Sequence, residues 1–302
     1  RNRDEGSTNR LTVLLPPVPS VTNAPEAAET AAPRLGPARP TYLPAGPGSG
    51  TTRAGEGSKP RPVVATPDHR RRTQNAMGYE SINWDPITKA FAQIPLHQPP
   101  PVLLLDAGCG YGRISRAAAA NGATVFCNDL DARHLVALAE EMEPALRGQF
   151  LLHAGNFLVN FPIRYAAFDA ILVSRMAHFL SPRNFMKLLR QAYRLLVPGG
   201  RLHITTATPY LLSFQSFIPV YEQRKREGNP WPGYIDGKTE RVTDYFPAAR
   251  GRYPQSINLL EAYYELTQPA EWMANPDTPL QHALDGRELV GAIVTRPGGV
   301  SP

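Results

Sequence analysis

Apolar and polar residues along positions 102 to 206 follow two alternating patterns. Short continuous apolar runs are typical of buried strands, and the stretches between them carry apolar residues every three or four positions, as helices do. Glycine, asparagine and proline separate the two kinds of stretch. The pattern predicts strands over 102–106, 123–127, 149–153, 168–174 and 201–206, and helices over 114–120, 132–142 and 182–197.

The order of these elements predicts the fold class. Strands that alternate with helices through short connections form a mostly parallel sheet with helices on both faces, which is a Rossmann-like doubly wound α/β fold. In such a fold, ligands bind beyond the carboxyl ends of the strands. The chain ends on a further strand pattern at 289–295, while the part between 239 and 286 predicts a helix near 257–266 and leaves a sixth strand unplaced.

The first part of the chain differs in composition. The 302 residues include 32 prolines and 24 glycines, and positions 1–74 carry Pro, Ala, Gly, Ser and Thr without a helical or alternating period. Such a segment buries too little apolar surface to offset the entropy lost on ordering. We therefore expect a disordered tail over 1–74 and a folded domain over 75–302.

Charge, apolar runs and cysteine content limit which partners and which cellular compartment the sequence predicts. The net charge of +6 would allow an acidic partner, but the basic run 69–72 lies in the predicted tail, so a solvated linker is favoured over a nucleic-acid site. The run 11–15 is too short to span a membrane. Cys109 and Cys127, the only cysteines, offer neither a disulfide framework nor the spacing of a metal site. We expect a cytoplasmic protein without a metal, with a secreted effector or a processed precursor as alternatives.

Three glycines follow the first predicted strand at alternate positions, Gly108, Gly110 and Gly112, ahead of the first helix. Glycine lets the backbone turn sharply and lets a ligand lie against main-chain N–H groups at the positive end of the helix dipole. An ordinary strand-to-helix connection is the alternative, and the residues at the other strand ends argue against it. The loop is therefore a predicted ligand-binding loop.

Polar residues end the predicted strands at the edge of the sheet that would carry the ligand. Asp129 follows the second strand about twenty residues after the glycine loop, from where a carboxylate reaches the hydroxyls of a ribose. Asp106 ends the first strand and could accept hydrogen bonds from a cationic amine or fix the loop. Asn156 and Phe157 could offer an amide to an adenine edge and an apolar wall to its face. Ser174 would line the floor of the site.

Taken in order, the motifs form a specific set. They are LDAGCGYG at 105–112, Asp129, GN at 155–156, FDAIL at 168–172 and LLVPGGRL at 195–202. This set, which covers about 75–210, resembles the class I S-adenosylmethionine-dependent methyltransferases. The resemblance implies a seven-stranded sheet with an antiparallel last strand and S-adenosylmethionine as the cofactor. The cofactor-binding residues that it implies are Asp106, Gly108, Cys109, Gly110, Gly112, Asp129, Leu130, Asn156, Phe157 and Ser174.

Two alternatives compete with this interpretation. A nicotinamide dehydrogenase would carry G-x-G-x-x-G, whereas Arg113 stands where its third glycine would fall. A binding or scaffold protein that keeps the fold without turnover is the second alternative. Its support is the long tail together with Asn156, since the family usually has an acid at that position. An amide can still hydrogen-bond an adenine amine, so binding of the cofactor is compatible with Asn156.

The residues after the fourth strand bear on catalysis. A methyl group on a sulfonium is already activated, so positioning of the acceptor matters most. If the acceptor is a hydroxyl, a base must take its proton, and His178 is the candidate. Its position resembles that of a histidine found in many small-molecule methyltransferases. A structural hydrogen bond made by His178 is the alternative.

An insertion around 207–286 is predicted to contact the methyl acceptor. Tyr210 and Phe214 stand at helical spacing and could form a lid over an apolar acceptor, and packing onto the sheet is the alternative. Arg175 and Trp231 complete the predicted acceptor residues. We expect methyl transfer to an oxygen or nitrogen of a small molecule. A protein acceptor is the runner-up, and the oligomeric state is left open.

Overall fold

The computed structural model describes residues 71–75, 78–80, 82–159, 161–163, 165–236, 239–240, 244, 271–273, 276–277 and 284–298. Positions 1–70 of the predicted disordered tail lie outside the described residues. The helix predicted near 257–266 and most of the second half of the predicted insertion lie outside them as well.

Strands and helices alternate through the part of the chain that the structure describes. The strands are β1 (Leu103–Ala107), β2 (Thr124–Asp129), β3 (Phe150–Ala154), β4 (Phe168–Ser174), β5 (Leu196–Ala207), β6 (Glu271–Met273) and β7 (Leu289–Thr295). The α-helices are α1 (Pro86–Gln93), α2 (Arg113–Ala120), α3 (Ala132–Glu141), α4 (Pro182–Leu195) and α5 (Ile218–Arg226).

The strands form one seven-stranded sheet in the order β3-β2-β1-β4-β5-β7-β6. Strands β1 to β5 pair with one another in parallel, and β7 runs antiparallel to both β5 and β6. The Rossmann-like mostly parallel sheet with an antiparallel last strand is therefore confirmed. The sixth strand, which the sequence left unplaced, is β6, a segment of only three residues.

Apolar side chains cover both faces of the sheet because consecutive strand residues point to opposite sides. Leu104 and Leu105 of β1 are both fully buried, yet they belong to two different hydrophobic clusters. Helix α4 packs on the Leu105 side, and helices α1, α2 and α3 pack on the Leu104 side. The helix residues that form these contacts are Phe185, Leu188, Ala192 and Leu195 on one face and Phe91, Ile114, Leu135 and Leu138 on the other.

Local capping explains where the helices begin. Asp131 directly precedes α3, a position where aspartate is typical of an N-cap, and its side chain accepts the Arg133 N–H at 3.0 Å. Ser181 caps α4 in the same way through the Asn184 N–H. Asp131 thus serves the helix, which leaves the nearby Asp129 for another role.

The end of α4 differs from the sequence-based expectation. The Pro198–Gly200 tripeptide was expected to separate the helix from the next strand, whereas β5 already begins at Leu196. The ladder between β4 and β5 shifts its register here. A Cβ atom on Gly200 would lie 2.9 Å from the Val197 carbonyl oxygen, so only glycine fits without a shift of the backbone. The tripeptide is therefore an irregular start of β5 rather than a break before it.

Gly291 of β7 allows helix α1 to pack directly on the sheet. A Cβ atom at this position would lie 2.6 Å from Ile87 Cδ1 and 2.7 Å from the Ile204 carbonyl oxygen. We expect Gly291→Ala to lower the free energy of unfolding by about 1–3 kcal/mol, as overpacking of a core does. Urea unfolding would measure it, with Gly148→Ala as the control because nothing lies within 4 Å of its added Cβ. Equal midpoints for the two variants would contradict the prediction.

Candidate functional site

The glycine loop joins the carboxyl end of β1 to α2 through residues 108–112. Gly108, Gly110 and Gly112 have φ of +80°, +54° and +68°, a region that side chains other than glycine disfavour. A Cβ on Gly112 would meet Leu138 at 2.6 Å, whereas a Cβ on Gly110 would meet nothing within 4 Å. A side chain at Gly112 would thus displace Leu138 of α3, and Gly110 leaves open space above the loop.

The N–H groups of this loop are largely used inside the protein. Gly108 and Cys109 both donate to the Asn128 carbonyl, at 2.8 and 3.0 Å, and Gly112 donates to Cys109 O at 2.9 Å. The expectation that a ligand lies against free loop N–H groups is therefore not met at these positions. The reason is that the end of β2 supplies an acceptor directly beneath the loop. The loop contributes shape and open space rather than donors.

Asp129, the predicted ribose ligand, is fixed by three donors. Its Oδ2 accepts the Gly110 N–H at 2.8 Å, and its Oδ1 accepts the Asp131 N–H at 2.8 Å and the His134 Nδ1–H at 3.0 Å. The side chain is only 8% exposed. A carboxylate has roughly four lone-pair sites, so one remains, on Oδ2. In this arrangement the group can take one further hydroxyl donor.

Asp106 lies below the glycine loop and is 2% exposed. Its pKa is raised to about 7: burial is the largest cause, a hydrogen bond from Ser115 Oγ at 2.6 Å opposes the shift, and the nearby Asp129 charge adds to it. The carboxyl is therefore partly protonated at neutral pH. A cationic group placed next to it would favour its ionised form.

The residues predicted to meet an adenine fall into two groups. Leu130 follows Asp129 and is 55% exposed, and Asn156 is half-buried with its Oδ1 accepting the Leu158 N–H at 2.9 Å. Phe157, by contrast, is buried, and its ring lies 5.1 Å from that of Phe161 within the hydrophobic core. The structure leaves Leu130 and Asn156 partly accessible and places Phe157 in the core.

Ser174 and Arg175 end β4 among polar side chains from other elements. Ser174 Oγ lies 3.3 Å from Thr88 Oγ1 of α1. Arg175 has φ +54°, and its guanidinium lies 2.7 Å from Asp277 Oδ2 and 3.7 Å from Asp85 Oδ2. Arg175 therefore connects the start of α1 to the segment after β6, and two carboxylates already neutralise its charge.

His178, the predicted base, is 9% exposed in a short 3-10 helix over Ala177–Phe179. Its Nδ1 lies 3.5 Å from the Ala207 N–H and 3.4 Å from Thr206 Oγ1. Burial, with a smaller contribution from the Arg175 charge, lowers its pKa to about 3. His178 is therefore neutral at pH 7 and weakly basic.

The other predicted acceptor residues lie in packed clusters. Tyr210 and Phe214 are buried together in a cluster that contains α5. Trp231 packs instead on the α4 side of the sheet, where its ring meets Phe185 edge-on at 6.3 Å. The structure does not bring these three side chains into one cluster. Their contacts agree with the packing alternative that the helical spacing left open.

Two residues at this edge of the sheet were not singled out from the sequence. Asn128 is buried, and its Nδ2 donates to the carbonyls of His153 and Gly155 at 3.0 Å, which fixes the end of β3 beside β2. His134 is 1% exposed and contacts Asp129. Residues of both kinds occur in ordinary cores, so neither carried a recognisable sequence signal.

Comparison with known proteins bears on this region directly. Residues 104–200 match a family model described as a methyltransferase domain. This part of the chain is thus similar to a methyltransferase domain. The match runs from β1 to the start of β5 and includes the glycine loop and Asp129, so the resemblance to class I S-adenosylmethionine-dependent methyltransferases is confirmed over these residues. No curated protein sequence matches the chain.

Three of the solved structures that are similar to this chain are all distant from it. The glycopeptide N-methyltransferase MtfA, complexed with sinefungin, has 19% identity and a TM-score of 0.35, with 40% of this chain and 50% of that chain covered. The CcbJ methyltransferase from Streptomyces caelestis has 21% identity and a TM-score of 0.37, with 42% of this chain and 51% of that chain covered. A Bordetella parapertussis protein described as a possible exported protein has 15% identity and a TM-score of 0.47, with 70% of this chain and 67% of that chain covered. The chain spans about half the length of the first two.

Membrane spans and metal centres are two other classes of site. Among the helices within the described residues, none is long and apolar enough to cross a membrane. The same part of the chain contains no group of three or more His, Cys, Asp and Glu side chains arranged to hold a metal ion.

Proposed function

We propose that the chain is an S-adenosylmethionine-dependent methyltransferase that acts on an oxygen or nitrogen of a small molecule. The observation that carries the proposal is the Asp129 carboxylate, which is fixed by three donors beside the open space at Gly110 and keeps one lone pair available. A preorganised acceptor of this kind suits a ribose hydroxyl. The methyltransferase match over the same residues supports this assignment.

The residues present fit the cofactor. Asp129 would hold the ribose, and the exposed Leu130 side chain and the Asn156 amide would contact the adenine. Asp106 would face the cationic amine, either directly or through the glycine loop, because its pKa of about 7 allows ionisation in response to a nearby cation. The open space over Gly110 provides room for a ligand against the loop.

When bound, the cofactor supplies a methyl group that its sulfonium has already activated. The protein's task is then to hold the acceptor in line and to exclude water, and such positioning is worth roughly 7–11 kcal/mol of the barrier. Arg175 and Ser174 at the end of β4 are the side chains that we propose for the acceptor side. Arg175 is held between Asp85 and Asp277, so it would act through a fixed guanidinium rather than a mobile one.

The basicity of His178 bears on which acceptor fits. A pKa of about 3 makes this imidazole a weak acceptor for a hydroxyl proton. We retain His178 as the proposed base for a hydroxyl acceptor, and we expect its contribution to be modest. A nitrogen acceptor that already carries a free lone pair needs no base before transfer, so it fits this site better than an alcohol does.

Calorimetric titration of the full chain with S-adenosylhomocysteine tests the proposal. We expect a micromolar dissociation constant, and the absence of binding by the folded full chain would overturn the proposal. Incubation with methyl-labelled S-adenosylmethionine and separate pools of small molecules and proteins then identifies the acceptor class. Label in the small-molecule pool is the expected result. Label only in the protein pool would favour the runner-up, and binding without turnover would favour a scaffold.

A further inference from the structure

A short segment before α1 folds back on itself and contacts the proposed cofactor site. We call residues 71–75 and 78–80 the N-terminal strap. Arg72 and Tyr79 form a β-bridge, the Thr73 N–H donates to the Gly78 carbonyl at 2.9 Å, and the Glu80 N–H donates to the Arg71 carbonyl at 2.8 Å. The strap therefore has its own hydrogen-bonded shape.

The strap is attached to the glycine loop through Tyr111. The Tyr111 hydroxyl donates to the Arg72 carbonyl at 2.8 Å, and the Arg71 guanidinium lies 3.5 Å from the centre of the Tyr111 ring. Arg71 also forms an ion pair with Glu141 of α3. These contacts lie on the loop residue between Gly110 and Gly112, so the strap is held against the loop that would carry the cofactor.

A second attachment runs through His134 in the first turn of α3. The Gln74 N–H donates to His134 Nε2 at 2.9 Å, and His134 Nδ1 lies 3.0 Å from Asp129 Oδ1. A backbone N–H can only donate, so Nε2 is the acceptor, and Nδ1 carries the hydrogen that Asp129 receives. The Tyr111 ring meets the imidazole edge-on at 4.9 Å. His134 thus joins the strap to the carboxylate through one fixed tautomer.

The backbone carbonyl of Gln74 is bound as well as its N–H. Its carbonyl accepts a hydrogen bond from Arg133 Nη2 at 3.0 Å, and Arg133 is itself paired with Asp131 at 2.6 Å. Two consecutive residues of α3, Arg133 and His134, therefore bind the backbone N–H and carbonyl of one strap residue. Gln74 is thereby held at the first turn of α3, which follows Asp129 closely in the chain.

We propose that His134 is a positioning residue for Asp129 and makes cofactor affinity depend on the docked strap. This inference rests on the proposed function, since Asp129 is the proposed ribose ligand. His134 is one of the three donors that fix the carboxylate. It is also the donor whose ring is oriented by the strap, through the Gln74 N–H. When the strap is docked, Oδ2 keeps its free lone pair directed to the site. When the strap is undocked, the imidazole loses its Nε2 partner and Asp129 is held less firmly.

Four variants of the full chain separate this role from simple packing. His134→Phe keeps a ring against Tyr111 and loses both hydrogen bonds. His134→Asn keeps a donor where Nδ1 stands and loses the acceptor for Gln74. Gln74→Pro removes the strap N–H, and Gln74→Ala is its matched control because it keeps that N–H. The readouts are the dissociation constant for S-adenosylhomocysteine, measured by calorimetry, and the melting temperature of the ligand-free protein.

We expect His134→Phe to weaken binding about tenfold or more, and His134→Asn and Gln74→Pro to weaken it about three- to tenfold each, since each loses hydrogen bonds of ordinary buried strength. The double variant His134→Asn with Gln74→Pro should bind no more weakly than either single variant, because both cut the same link. Gln74→Ala should bind like the wild type. The melting temperature alone would change if the role were only structural.

The outcomes discriminate between the two proposals. Wild-type binding that His134→Asn leaves unchanged would overturn the positioning role and leave the proposed function standing. Additive losses in the double variant would also overturn it. A wild-type chain that does not bind S-adenosylhomocysteine would overturn the proposed function, and the positioning role with it. If Gln74→Pro does not fold, His134→Asn still decides the question, because it acts on the same hydrogen bond from the other side.

Discussion

Replacing Asp129 by asparagine is expected to weaken the binding of S-adenosylmethionine and S-adenosylhomocysteine by about a hundredfold. The asparagine side chain keeps the size of the carboxylate but has one oxygen instead of two. It cannot accept the Gly110 N–H on one side and both Asp131 and His134 on the other. Hydrogen bonds to charged groups contribute about 1.5–3 kcal/mol each, which corresponds to one to two orders of magnitude in affinity.

Asp131→Asn is the matched control for this experiment. Asp131 is an acid two positions away, and its side chain caps α3 and pairs with Arg133. Asparagine is a good N-cap, so the helix start and the backbone N–H that Asp129 accepts both persist. Titration calorimetry of both variants gives the comparison. Equal affinity for Asp129→Asn and the wild type would remove Asp129 from the cofactor site, even if the protein binds the ligand elsewhere.

The sequence was a good guide wherever a local signal determines local structure. Short apolar runs between helical periods located β1 to β5 and β7, and Asp131 is recognisable as a cap from its residue type and its place before a helix. The glycine loop was located for the same reason, since each of its three glycines has a positive φ. The parallel sheet follows from the order of these elements.

The sequence was a poorer guide where distant residues decide the outcome. The Gly108 and Cys109 N–H groups already donate to the Asn128 carbonyl. No sequence pattern within the loop predicts that acceptor. His134 was missed because one of its partners, Gln74, lies 60 positions earlier. Strand β6 has three residues, which is too short for any periodicity to appear.

Tyr210 and Phe214 show a further limit. Helical spacing predicts that two side chains share a face, but it does not predict what that face packs against. In the structure both are buried in one cluster with Phe217 and Tyr221, which follow them closely in the chain. The lid and the packing interpretations have the same sequence signature, and the tertiary contacts agree with packing.

Asp106 is expected to make the protein less stable as the pH rises from about 4 to about 7. Its folded-state pKa is about 7 and its ordinary value is 3.8, so within this range the folded state binds more protons than the unfolded state. Under that condition the free energy of unfolding falls with increasing pH. The contribution is complete below the unfolded pKa and is lost as the pH passes the folded pKa, and it amounts to roughly 2–4 kcal/mol.

Asp106→Asn should remove this dependence because an amide does not ionise, while its oxygen can still accept the Ser115 hydroxyl. Urea unfolding at pH 5 and pH 8 measures the effect: the wild type should lose stability relative to the variant on going to pH 8. Asp285→Asn is the control, since Asp285 is exposed and a hydrogen bond from Arg287 lowers its pKa. The buried His178 and His203, whose lowered pKa values favour stability at higher pH, are common to all three proteins and cancel in the comparison. Parallel pH profiles for the wild type and Asp106→Asn would show that Asp106 is ionised over this pH range. Binding of the proposed cationic group would then not change the protonation of Asp106.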